Sequence, residues 1–484
     1  MHYFDYAIFA CYLIGLLAFG YYHFRRHQTG EDYYLGGRNI KARHVGFSIA
    51  ATDVGGGFSI GLAGLGFSMG LSGAWLLFTG LLGAWLSAVW LLPRVKFLEG
   101  KHGLSTYPEL LKVRFGTKVA MLAAIISCIG YLGFTGAQML AGAKLAAATL
   151  MTEPALGISN LQLMLWVIGG VTILYTVFGG LKAVIYTDSV QWLILLAGMS
   201  LFALPYALDA VGGWQGLMDS LPASYFSLTA ISPVLAINWL LTITPIWLVA
   251  MTLYQRMFAC RDTQTAKRAW YLAGFLEFPL MAVSGVILGM CARVLLPDME
   301  PEMAVPAMIR DLLPIGITGI IIAAYFSAIM STADSCLMAA SANLTQDVLK
   351  IPASHTKTVR ISMIATALLG LAAIFLASQA NQVLDAILYA YGFMVSGLVF
   401  PTLAALFWPK VSAKTALASM LSGGLCAIAL MTGLLPLPET LTALGLDVSI
   451  YGLALSALTM FIGYKFSPEL TATAQDVEAE YERS

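Results

Sequence analysis

Thirteen stretches of mostly apolar residues follow one another along the 484-residue chain, each long enough to cross a bilayer, for which about 17–25 residues are needed. They run over approximately 4–23, 44–70, 73–93, 118–150, 160–179, 184–208, 235–255, 269–297, 315–345, 359–378, 384–408, 412–434 and 448–466. Hydrocarbon offers the backbone no hydrogen-bond partner, so segments of this kind must bond to themselves as helices. The expected fold class is therefore an all-α polytopic membrane protein with about 13 transmembrane helices. Charged residues make up 11% of the chain, against roughly 25% in soluble domains, which agrees with lipid as the solvent. The 118–150 and 315–345 runs exceed one perpendicular crossing and should tilt or protrude.

Charge placement orients the bundle. With the N-terminus outside, 23 of the 26 Lys and Arg fall in the segments 23–44, 94–118, 180–184, 255–268, 343–360, 409–414 and 465–484, as the positive-inside rule requires of cytoplasmic loops. Of the others, Arg310 falls in an external loop, and Lys144 and Arg293 stand near outer helix ends, where they can snorkel. The first apolar stretch is followed by Arg25 and Arg26 and has no small-residue cleavage site, so it reads as an uncleaved span of a multi-pass cell (inner) membrane protein. A net charge of zero carries no footprint for nucleic acid. The six cysteines (Cys11, Cys128, Cys260, Cys291, Cys336, Cys426) lack CxxC or CxH spacing and fit helix packing better than disulfides or zinc.

Within this apolar background, charged residues at bilayer depth cost about 2.5–3.5 kcal/mol each and mark function. They are Asp53, Asp188, Glu277, Asp334 and Asp385. Asp53 stands in Ser48-Ile-Ala-Ala-Thr-Asp-Val-Gly-Gly-Gly-Phe-Ser-Ile-Gly61, where three successive glycines, each costing about 1 kcal/mol of helix propensity, predict a helix interrupted near the midplane. Freed carbonyls are tolerated there only where they line a cavity or bind something. The ninth span carries Ala328-Ile-Met-Ser-Thr-Ala-Asp-Ser335, in which Ser331 and Ser335 share a face and Thr332 lies one turn from Ala328. Hydroxyls, a carboxylate and a carbonyl on one stripe are hard oxygen ligands for a small hard cation. A third motif, Gly179-Gly-Leu-Lys-Ala-Val-Ile-Tyr-Thr-Asp-Ser-Val-Gln191, puts Asp188 just inside the cytoplasmic end of a span.

These motifs, with Tyr33-Tyr-Leu-Gly-Gly-Arg38, resemble the sodium/solute symporter family over roughly residues 5–465. The resemblance implies a LeuT-like core of two inverted five-helix repeats, at about 44–208 and 235–408. Around them stand an N-terminal helix and loop (1–43), an external loop (209–234), two further helices (409–466) and a cytoplasmic tail (467–484). It also implies Na+ as the coupling ion. The sodium ligands would be the carbonyls of Ala51, Val54 and Ala328 and the hydroxyls of Ser331 and Thr332. A second ion site, present in some members, would use Asp188, Ser331, Asp334 and Ser335. Asp334 stands where those members carry a serine, so either a second ion is held tightly or the carboxylate is protonated.

For the transported small organic solute, an amino acid, monocarboxylate or similar, the pocket candidates are Asp53, Gly55, Gly56, Phe58, Ser59, Gln138, Trp239, Thr242, Thr244 and Trp247. Pro245 is expected to interrupt the seventh span as the inverted partner of the glycine break. Asp53 resembles the proline branch of the family, whereas Val54-Gly-Gly-Gly57 and Tyr254-Gln-Arg256 resemble the choline branch. Choline is disfavoured because the positions matching that branch's cage tryptophans are Asp53, Gly133 and Met251. Proton coupling through Asp53, Asp188, Asp334 or Glu277 is the alternative reading, and a transporter-like sensor a remote one, given a tail of only 467–484. No enzyme is expected, since all six histidines fall at ends and loops.

Overall fold

The computed structural model describes residues 1–24, 40–53, 55–151, 159–179, 181–351 and 358–466. The Tyr33–Arg38 motif, Val54 and the tail 467–484 lie outside them. Among the described residues the fold is all helical, with a single isolated bridge between Ile40 and Cys260 and no strand.

Among the described residues, ten helices are long and apolar enough to cross a membrane, or eleven when the bent pair Pro233–Ile246 and Met251–Ala259 is taken as one span. That differs from the expected thirteen for two reasons. The Gly57–His102 run of 46 residues counts as one helix, although at 1.5 Å per residue it is about twice the hydrocarbon thickness. It contains a 3₁₀ turn, Gly70–Ala74, that begins on left-handed Gly70 (φ +67°). The N-terminal helix Tyr3–Phe24 contributes only Tyr3–Gly15 as a shorter apolar helix.

Burial ranks the helices from centre to rim. The Ile317–Val348 helix is 94% buried over its apolar window, whereas Val190–Ala210 and Val448–Lys465 are each 28% buried. The central helix packs on Thr117–Thr149, Leu181–Ala197, Gly55–Met69 and Ala42–Asp53. Outer helices present Leu201, Leu368, Phe375, Leu425 and Leu458 outward. In water such a surface would be an aggregation hazard, while in a bilayer it is the solvated face.

Helix interruptions cluster at this centre. One parts Ala42–Asp53 from Gly55–Met69, as the glycine run predicts. The second parts Pro233–Ile246 from Met251–Ala259, bent by 42°. It falls after Pro245, which stays inside the last turn, and is completed by extended Ala250 (φ −70°, ψ 112°). A third, not foreseen, opens the Thr263–Leu295 run at Leu276–Met281, where Phe278 leaves helical geometry. The first two follow residues 53 and 246, near the starts of the stretches 44–208 and 235–408.

Three charge placements are corrected by packing. Lys144 does not snorkel: it is 1% exposed and bonded to Glu300 and Glu302. Asp385 is exposed in the first turn of Val383–Phe407, where it favours the positive end of the helix, rather than lying deep in the bundle. Arg256, assigned by charge counting to a cytoplasmic loop, is fully buried on Met251–Ala259.

Candidate ion and solute site

The glycine break is shaped around one side chain. Gly55 has φ +37°, and a Cβ there would lie 2.1 Å from Thr332 Oγ1. Only glycine both adopts this conformation cheaply and lets the central helix approach so closely. Thr332 Oγ1 donates to the carbonyl oxygens of Ala51, at 2.9 Å, and Ala328, at 3.1 Å. Ser331 Oγ lies 3.2 Å from the same Ala328 carbonyl. Four of the five expected sodium ligands thus share one buried cluster, and the fifth, Val54, lies outside the described residues. Neutral carbonyl and hydroxyl oxygens on a broken helix and its neighbour have the chemistry to replace the hydration shell of an alkali cation.

One turn along the central helix, the expected second ion site holds a guanidinium. Asp188 Oδ2 accepts from Ser48 Oγ at 2.6 Å and from Arg256 at 3.3 Å. The same Arg256 donates to Ser48 (3.0 Å), Thr52 (2.5 Å), Ser335 (2.9 Å) and the carbonyl of Thr252 (3.2 Å). Asp334 Oδ1 accepts from Ser335 Oγ at 3.4 Å, and among the described residues Asp334 Oδ2 and Asp188 Oδ1 have no partner. Asp188 and Ser335 are therefore joined through a protein cation that sequence reading placed in a loop. Its signal was present in the apolar run Met251–Ala259, which carries a single charge.

On the other side of the break, Gln138 Oε1 accepts from the amide of Gly57 at 2.9 Å, satisfying one of the unpaired N–H groups that open the Gly55–Met69 helix. Ser59 Oγ donates to the Gly55 carbonyl at 2.6 Å. Asp53 Oδ1 accepts from the Tyr391 hydroxyl at 3.2 Å, and Phe58 and Phe134 pack on the Tyr391 ring with centroids at 6.0 and 4.9 Å. Asp53, Phe58 and Gln138 thus surround the break, with Gly56 in the same helix, while Tyr391 and Phe134 had no distinguishing motif in the sequence. Trp247 is buried nearby. Thr244 is instead tied to the carbonyl of Thr79 at 2.8 Å, a helix-to-helix link. Trp239 and Thr242 are buried on the same helix, and Thr242 Oγ1 has no partner.

A membrane-embedded helical bundle whose broken helices meet at a central oxygen cluster is the architecture of a secondary transporter. The chain belongs to the sodium:solute symporter family, whose profile matches residues 33–423. It is 28% identical over 430 residues to the high-affinity proline transporter PutP of Bacillus subtilis, covering 85% of this chain and 89% of that one. It is 29% identical over 482 residues to the sodium/myo-inositol cotransporter 2 of Oryctolagus cuniculus, covering 87% and 68%. In structure it resembles a Na+-coupled sialic acid symporter in a substrate-bound outward-open state, with TM-score 0.78, 20% identity and coverage of 97% and 99%. The fold is thereby LeuT-like, and the protein is a transporter rather than an enzyme.

Proposed function

We propose that this chain carries a small organic solute into the cell by sodium-coupled symport, with one Na+ held by Ala51, Val54, Ala328, Ser331 and Thr332. The observation that carries the reading is the Thr332 hydroxyl bonded at once to carbonyls of the broken helix and of its own helix. Turning that hydroxyl so that its proton points away and its lone pair faces the same point as the carbonyl oxygens creates an oxygen cage. An ion in it would bridge Ala42–Asp53 to Ile317–Ala342 and so favour the outward-open state. Solute then binds beside Asp53 and Gln138, the broken-helix bundle rocks, and both are released inside. Each ion contributes about 2.3 kcal/mol per 100 mV, and roughly 1.4 kcal/mol more per tenfold gradient, enough for about 500-fold accumulation.

The inverted repeats extend over 44–208 and 235–408, with the N-terminus external in the inner membrane and the C-terminus cytoplasmic; the distribution of Lys and Arg supports that orientation. The relatives' solutes, proline, a zwitterion, and myo-inositol, an uncharged polyol, differ in the groups they present, so relatedness narrows the solute only to something small and polar. The reading is tested with Ser331→Ala and Thr332→Ala in solute uptake. The half-saturating sodium concentration should rise at least tenfold while the protein still inserts, and unchanged sodium dependence in both variants would remove the site.

A further inference from the structure

The third helix interruption serves no part of the oxygen cluster. At Leu276–Met281 the Thr263–Leu295 run opens, with Phe278 extended (φ −133°, ψ 123°), and Glu277 stands at the opening. Glu277 is fully buried, and among the described residues neither of its carboxylate oxygens has a hydrogen-bond partner. Gly80 marks what it faces. A Cβ on Gly80 would lie 3.1 Å from Glu277 Oε2, 3.9 Å from Asp53 Oδ2 and 3.9 Å from Trp247 Nε1. Two carboxylates and an indole N–H therefore converge on a spot that the missing side chain leaves free. The indole nitrogen of Trp247, itself 1% exposed, is likewise without a partner. Asp53 has its Tyr391 bond, and among the described residues no Lys, Arg or His is bonded to either acid. Phe58 and Phe134 pack on the ring of Tyr391, the hydrogen-bond donor to Asp53, and Phe278, next to Glu277 in sequence, packs edge-on to Phe78 at 5.3 Å.

Two acids placed together without a basic side chain, at a depth where each costs several kcal/mol, call for a cation brought from outside. We infer that the spot between Asp53, Glu277 and Gly80 receives a protonated nitrogen of the transported solute, a primary or secondary ammonium. Its N–H groups donate to the open acceptors of Glu277 and Asp53, and Trp247 Nε1 donates to an acceptor on the same solute. A quaternary ammonium has no N–H to give Glu277, and an anionic group would meet like charge. This assignment rests on the symport reading and names the solute class within it.

The test is thermal unfolding of the purified full-length protein in sodium chloride and in potassium chloride. The probes are n-butylammonium, phenethylammonium and pyrrolidinium, set against tetramethylammonium, butyrate and 1-butanol. The amines should raise the melting temperature in sodium, and the other three should not. Glu277→Gln, which removes the charge, and Gly80→Ala, which fills the spot while keeping both acids, should each raise the half-saturating amine concentration at least tenfold. Equal shifts from butyrate or butanol, no shift from any amine, or amine shifts unaltered in both variants would overturn the assignment. Sodium alone is the internal control. If it shifts the wild type but amines do not, the ammonium assignment fails and symport stands, whereas no sodium shift counts against symport itself.

Discussion

At the scale of single residues, the account turns on which oxygens meet and which side chains must be absent for them to do so. Gly55→Ala would place a methyl 2.1 Å from Thr332 Oγ1 and force a left-handed residue, at about 1–2 kcal/mol for the backbone alone. Its half-saturating sodium concentration should rise at least tenfold in uptake assays, while Gly170→Ala, where the added Cβ meets nothing within 4 Å, should leave it unchanged. Arg256 carries a second prediction. Removing one partner of a buried ion pair leaves the other charge stranded, so Arg256→Ala should destabilise by ~3–5 kcal/mol in denaturant unfolding. Arg256→Ala with Asp188→Asn should recover part of that loss, and a double variant no better than the single one would dissociate the pair. Ala51, Ala328, Ser331 and Thr332 were named through the resemblance to the symporter family, which the glycine run and the hydroxyl-bearing stripe carry; the structure brings the four together. Arg256 was not legible as a site residue, because counting positive charge assigns any arginine near a helix end to the loop, whatever it bonds to. Glu277 was visible as a buried charge, but its convergence with Asp53 depends on the folding of two helices past Gly80, which no local pattern encodes.

At the scale of elements, carboxylates act as joints between helices. Glu302 accepts from the amides of Val383, at 2.9 and 3.0 Å, and Leu384, at 3.1 Å, and so caps the Val383–Phe407 helix while it pairs with Lys144 on Thr117–Thr149. A negative charge at that position also meets the positive end of the helix dipole. Asp5 does the same for the central helix, accepting from Gly316 at 2.7 Å and Gly319 at 3.0 Å. Glu302→Gln should lower stability by about 1.5–3 kcal/mol, the range for hydrogen bonds to a charged group, and quicken amide exchange at residues 383 and 384. Unchanged exchange there would show that water or another group caps the helix. Most spans were predictable because apolar length is a strong signal. The break at Gly55 was too, since successive glycines cannot continue a helix cheaply. The break after Pro245 shifted to Trp247–Ala250 because proline is tolerated within the last turn reached. The π-turns at Ser87–Leu91 and Gly198–Ala203 left no sequence trace, since one extra residue per turn changes neither composition nor periodicity enough to register, whereas the opening at Leu276–Met281 had Pro279 as a signal that was not used.

At the scale of the whole molecule, the bundle places its most buried helix, its two broken helices and the buried Asp53, Asp188, Arg256, Glu277 and Asp334 at one centre, and gives the apolar rim to lipid. That arrangement lets an ion at the cluster change how the broken helix sits on the central one, and so links ion binding to the solute face on the other side of the break. The count of spans was the least legible quantity at this scale, because a 46-residue helical run interrupted only by the 3₁₀ turn Gly70–Ala74 is about twice as long as one crossing. The central claim is that the cluster around Thr332 is a sodium site in its own right, before any solute arrives. Calorimetric titration of sodium into the purified, solute-free protein tests it most directly. Binding should saturate with one ion in the wild type and weaken at least tenfold, a loss of ~1.4 kcal/mol or more, in Thr332→Ala. The same affinity in both proteins would place the ion elsewhere and contradict the account.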